Sequence, residues 1–160
     1  MSDKEALYDE LAGVVDLFGV LTRAELERAL DELAFKQGQD TDREALADAV
    51  EEAVSNYYLV TYERDGVERV VPGPVAFPSL PENAEDLPHI LDVDERTADE
   101  EAVTEAALSR LRADADDALE AGDDNRIRQL LDVTYDVELW TARDVDVGDI
   151  RSRFETELDE

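Results

Sequence analysis

The chain has no cysteine, which removes disulfides, thiolate nucleophiles and zinc–thiolate centres together. Histidine is nearly as scarce: His89 is the only one, set between Pro88 and Ile90 with no neighbouring serine or cysteine to form a nucleophile–base pair. A lone histidine in such a segment reads as a loop residue. The glycines are scattered, and none belongs to a glycine-rich run before a helix, so no phosphate-cradling loop is expected. Apolar runs long enough to cross a bilayer are missing. The amino terminus, Met1 to Glu5, is polar and has no hydrophobic stretch after it, so neither a membrane segment nor a signal peptide is expected. Lysine occurs only at Lys4 and Lys36, which leaves arginine to carry the basic side.

What the chain has in excess is acid: 44 Asp and Glu against 15 Lys and Arg give a net charge of −29, spread along the whole length. Self-repulsion at that density opposes a compact state. In about 1 M salt, however, the Debye length falls to roughly 3 Å and most surface repulsion disappears. The expectation is a protein of a salt-filled cytoplasm. Acid pairs are so common here that they do not single out a hydrolase. The nearest metal pattern runs from Asp144 through Asp146, Gly148 and Asp149 to Glu155. It departs from a calcium loop because its glycine is fifth and not sixth, where the sharp bend falls. Asp114, Asp116 and Asp117 read as a hydrated helix face. No cofactor, metal or small-molecule substrate is indicated. With 160 residues and 43% hydrophobic content the chain is long enough to fold around a core without staples.

Hydrophobic spacing organises the first half. Leu7, Leu11, Val14, Val15 and Phe18 recur at helical intervals and stop near Gly19. Thr22 and Glu25 form a capping box for a second helix carrying Leu26, Ala29, Leu30 and Leu33, with Phe35 and Gly38 near its end. Thr41 and Glu44 repeat the box before Leu46, Val50, Ala53, Val54 and Tyr57. The period then changes: residues 57–62 are dense in strand formers, Asp65-Gly66 supplies a turn, and Val67, Val70 and Val71 begin a return strand. Helices followed by a hairpin in this order resemble a winged helix-turn-helix domain over about half the chain. The run from Asp16 to Leu26 also resembles an uncharacterised acidic protein family of haloarchaea. That resemblance implies fold and habitat and brings no activity with it.

All five prolines fall between Pro72 and Pro88. Proline fixes its own backbone and restricts the residue before it, so this stretch is expected to be a non-helical connector, pinned by Val75, Phe77, Leu80 and Leu87. Beyond it, Thr97 and Glu100 lead into a long helix with Leu108, Leu111, Ala115, Ala118 and Leu119, ending at Gly122. Asp123 or Asp124 caps a further helix through Ile127, Leu130, Leu131 and Tyr135, and Asp146 caps a last one with Ile150, Phe154 and Leu158. Residues 137–145 are open between strand, turn and helix, and Trp140 reads as a core anchor. The fold class predicted is mainly α with a small β-hairpin. It comprises a winged-helix-like module over residues 1–75, a proline-rich connector over 76–93 and a carboxy-terminal helical region over 94–160.

In the domains that the amino-terminal half resembles, the third helix enters the DNA major groove and the wing touches the backbone, which calls for cations on both. Here Arg43 stands against Asp42, Glu44, Asp48, Glu51 and Glu52, and Arg64 and Arg69 stand among Glu63, Asp65 and Glu68. That is a poor fit to phosphate. The favoured reading is therefore a non-enzymatic, cytoplasmic interaction module acting through a protein partner or self-association. Tyr57, Tyr58, Tyr62 and the apolar connector would be the centre of its interface. The alternative is a DNA-binding transcription regulator that uses Arg43, Arg64 and Arg69 as phosphate contacts.

Overall fold

The computed structural model describes residues 3–36, 43–80, 84–91, 93, 97–141 and 145–158. Its contacts divide the chain into two units, Met1–Asp99 and Glu100–Glu160. The fold is mainly α with a small antiparallel sheet, as the periodicity predicts.

The first unit runs α1 (Asp3–Phe18), β1 (Leu21–Thr22), α2 (Arg23–Lys36), α3 (Arg43–Ser55), β2 (Leu59–Arg64) and β3 (Val67–Pro72). A 3-10 turn at Ala84–Asp86 then leads into α4 (Leu87–Ile90). Gly19 stops α1 with φ +89° and returns its amide to the Val15 carbonyl at 2.8 Å, a left-handed cap that glycine adopts without penalty. The capping box of α2 is present in full: Thr22 donates its amide to Glu25 Oε1 at 2.9 Å, and Glu25 returns its amide to Thr22 Oγ1 at 3.2 Å. The second expected box, with Thr41, and the expected stop at Gly38 lie outside the described residues.

Asp65 and Gly66 both have positive φ, +55° and +78°, which is what a two-residue type I′ hairpin turn demands. β3 is central in the sheet, with β2 on one side and β1 on the other, all antiparallel. Sequence spacing anticipated the hairpin but not β1, because two residues are too few to show a period. In this register Leu21, Val70 and Leu59 share the face that joins the helical core with Leu11, Val15 and Leu26. Thr22, Arg69, Tyr62, Val60 and Val71 occupy the opposite face.

Two expectations need correction. The buried stripe of α1 passes through Tyr8, Leu11, Ala12, Val14 and Val15, whereas Leu7 is exposed and Phe18 is half-buried. A helix covered by both sheet and neighbouring helices buries a wider arc than a single stripe. The segment expected as a non-helical connector contains helix and adds Ala84 and Leu91 to the core of the first unit, beside Leu87, which docks as expected. Pro88 fits there because the first turn of α4 leaves its amides unbonded in any case.

The second unit holds α5 (Glu100–Ala121), α6 (Asp124–Trp140) and α7 (Gly148–Leu158). Asp123 is the cap of α6, accepting from the Arg126 amide at 3.2 Å, and Asp146 accepts from Gly148 at 3.0 Å as α7 opens. The contact stripe of α5 is Val103, Ala107, Leu111, Ala115 and Ala118; Leu108 and Leu119 flank it half-buried. Alanines at the seam let the partner helices approach closely. Ile127, Leu130, Ile150 and Phe154 fill the centre, while Tyr135 is exposed and Trp140, expected as an anchor, is half-buried at the end of α6. One arginine ties each helix pair: Arg126 to Asp114, Arg153 to Asp116 and Arg151 to Glu138. Of the stretch left open at 137–145, helix extends through Trp140, and residues 142–144, including Asp144 of the calcium-like pattern, lie outside the described residues.

Candidate interaction surface

The end of α3 determines where the hairpin and its aromatic residues go. Tyr58 donates its amide to the Ala53 carbonyl at 2.9 Å and Tyr57 to that of Val54 at 3.1 Å, the paired bonds of a Schellman cap. The left-handed position of that cap, usually glycine, is occupied by Tyr57 with φ +68°. The chain then turns back over this cap. Gly73 lies so close that an added Cβ would come within 2.3 Å of the Tyr57 carbonyl oxygen. The Gly73 amide bonds to Tyr58 O at 2.8 Å and the Val75 amide to Tyr57 O at 3.1 Å.

The three tyrosines expected to centre an interface do not form an exposed cluster. Tyr57 is 1% exposed at the cap of α3, and Tyr62, on the sheet face opposite Leu59 and Val70, is 6% exposed. Tyr58 is half-buried against Tyr8, with ring centroids 5.1 Å apart. Burial first, then the charges of Glu5 and Asp9, hold the Tyr58 phenol above its usual pKa. Tyr8 donates to Glu52 Oε2 at 2.5 Å, and its pKa is pushed up to about 12 by burial, then by that hydrogen bond and the Glu52 charge. These rings brace α1 against α3.

Of the cations expected on the helix–hairpin face, Arg64 is paired, bonding Asp99 at 3.0 Å. Arg69 extends from the sheet face opposite the core, with its Nε buried. Arg43 opens α3, and its side chain lies outside the described part of the structure. Arg23, which the sequence did not single out, joins α2 to both neighbours through Glu51 at 2.8 Å and Glu68 at 3.7 Å. The exposed positions of α3 are Glu44, Ala45, Asp48 and Glu51. A phosphate backbone would meet carboxylates there, and Arg23 and Arg64 would first have to leave their acids to reach it.

A different surface stands out beside α1. From Val70 to Pro81 the sequence carries no charge, although 37% of the chain is charged. This strap is fastened to α1 by Asp9, whose side chain accepts from the Phe77 amide and whose carbonyl accepts from the Ser79 amide, both at 3.0 Å. Gly13 makes the crossing feasible, because a Cβ there would lie 2.1 Å from the Ser79 carbonyl oxygen. Fastened this way, the strap exposes Phe77 to 82% and Leu80 to 45%, the reverse of the inward docking expected of them. Each precedes a proline, which confines its backbone to extended conformations. The anchoring role of Asp9 had no signal in the sequence. The strap's signal was its missing charge. His89 is exposed on α4.

Among the described residues, no group of three or more His, Asp or Glu is placed to hold a metal ion, and no helix is long and apolar enough to cross a membrane. The profile of a family of unknown function (DUF7109) matches residues 9–159. No curated protein and no solved structure gives a match.

Proposed function

The chain belongs to this family of unknown function, and from its geometry we propose that it is a non-enzymatic, winged-helix-like interaction module of a salt-rich cytoplasm that works by contact with another protein. The observation that carries the reading is Phe77, 82% exposed on an uncharged strap already fastened to α1. A large aromatic held in place in advance loses little entropy on docking, and such residues dominate interface energies. The pairing of Arg23 with Glu51 and of Arg64 with Asp99 supports protein contact over DNA. The net charge of −29 supports the salt-rich setting.

A second reading, a DNA-binding transcription regulator, is favoured by the order of three helices followed by a hairpin, on which the chain resembles a winged helix-turn-helix domain. The two separate in one pair of measurements in molar KCl. The tagged chain is expected to recover a stoichiometric protein partner from its native cytoplasm, and Phe77→Asp with Leu80→Asp is expected to lose that partner without changing the melt. Recovery as a free monomer overturns the reading. Retention of genomic DNA fragments that Arg64→Glu abolishes would establish the regulator in its place.

A further inference from the structure

We propose that the sheet face turned away from the helical core binds one small monovalent anion, a halide or a single carboxylate, on a row of donors formed by Thr22, Arg69 and Tyr62. The row follows from register. Thr22 pairs with Arg69 across β1 and β3, and Arg69 pairs with Tyr62 across β3 and β2. Directly opposed residues share a face with their Cβ atoms about 4.5–5.5 Å apart. One step along each strand, Leu21, Val70 and Thr61 take the other face, and Leu21 and Val70 belong to the helical core. Each strand therefore contributes one polar side chain to a line on the far side.

Two of these side chains have a buried donor with no acceptor. Tyr62 is 6% exposed and its hydroxyl makes no hydrogen bond; the Nε of Arg69 is likewise buried and unbonded. Buried donors in folded proteins nearly always find an acceptor, and a charged one left without costs more than a neutral one. The Thr22 hydroxyl accepts the Glu25 amide at 3.2 Å, which leaves its own proton to donate. The guanidinium can only donate, so a ligand that serves the row must accept.

Charge selects the kind of acceptor. Arg23, Arg64, Arg126, Arg151 and Arg153 each reach a carboxylate of their own chain. Arg69 has no such ion pair with a described residue, and unlike Arg28, Arg112 and Arg128, which have none either but are exposed, it holds a buried Nε. A cation with two further donors beside it is the arrangement that stabilises a negative ligand. Size selects it further: the Tyr62 hydroxyl is buried, so a nucleic-acid backbone does not reach it, and only an acceptor as small as an ion or the end of one side chain could be enclosed beside it. The site is independent of the strap, and its failure would leave the protein-contact reading where it stands.

Titration of the full chain with bromide at constant ionic strength in potassium sulfate, read by the bromide NMR line width, tests the site. A parallel arm uses acetate. Saturable binding is expected, weakened about tenfold by Tyr62→Phe and by Arg69→Met, each of which removes a charge-assisted hydrogen bond and little volume. Response to bromide alone assigns a free halide, and response to acetate alone assigns a carboxylate such as an Asp or Glu side chain presents. No saturable signal in either arm, or undiminished affinity in Tyr62→Phe, overturns the proposal and leaves water as the acceptor. Should Arg69→Met fail to fold, Tyr62→Phe decides the question, since it keeps the ring.

Discussion

Tyr57 combines two opposed contributions in one position. Its side chain is among the largest fully buried ones, while its backbone sits at φ +68°, where an L residue pays a steric penalty. Removing the ring costs about 3 kcal/mol or more, and relieving the left-handed strain returns about 1 kcal/mol. Burial therefore wins. Both Tyr57→Ala and Tyr57→Gly are expected to destabilise the fold, with the glycine variant the more stable of the two by about 1 kcal/mol in chemical denaturation. Equal stability would mean that the ring's neighbours, and not φ, determine the cost. Tyr8 gives a second test, through pH. Its phenol is raised to about 12 by burial and by Glu52, so the folded state favours the protonated form. A group whose folded pKa lies above its unfolded value contributes stability that is complete below the unfolded pKa. That contribution is then lost as pH rises from about 10 towards 12. Stability measured by denaturant titration should fall across this window. In Tyr8→Phe the fall should be shallower, and the phenolate absorbance should lose a component that titrates towards 12.

Gly13 lies inside α1, where replacing glycine by alanine would ordinarily stabilise a helix by about 1 kcal/mol. Here the added Cβ would meet the Ser79 carbonyl oxygen at 2.1 Å, and that oxygen is part of a backbone with little freedom to withdraw. Overpacking of this kind costs about 1–3 kcal/mol, so Gly13→Ala is expected to destabilise the first unit and lift the strap from α1. Amide hydrogen exchange at Phe77 and Ser79, whose N–H groups bond to Asp9, reports the second effect directly, and it should be faster in the variant. An unchanged rate would show that the strap is held by something other than this crossing. The same strap shows where sequence reading succeeds and where it stops. Helices and hairpin were legible because period, caps and turn residues are local, as the Thr22–Glu25 box and the Asp65-Gly66 turn illustrate. The burial of Tyr57 and the outward turn of Phe77 were not legible, because each depends on which distant segment crosses: Gly73 over Tyr57, and Ser79 over Gly13. The pairing that neutralises Arg23 and Arg64 joins residues far apart in sequence and had no local sign either.

For the whole chain the deciding quantity is the imbalance of charge. If every one of the 15 basic residues took one acid, 44 − 15 = 29 carboxylates would still face one another unpaired. The helix-joining arginines of the second unit are partly solvated, with side-chain exposures from 20% to 64% across the three pairs, and pairs of that kind contribute between nothing and about 1 kcal/mol each. Lowering salt strengthens these attractions and the repulsions together, but the repulsive pairs outnumber the attractive ones and extend over longer distances. The Debye length grows from about 3 Å at 1 M to about 10 Å at 0.1 M, so carboxylates a helix diameter apart begin to interact only at the lower salt. The melting temperature followed by circular dichroism is therefore expected to fall steeply between about 1 M and 0.1 M KCl. Substituting lysine for exposed acids that take no part in the ion pairs described above, such as Glu44, Asp48 and Asp117, should restore part of the loss at low salt and change little at high salt. A melt that does not move across this range would mean that packing alone holds each unit folded, and the case for a salt-rich setting would fall with it.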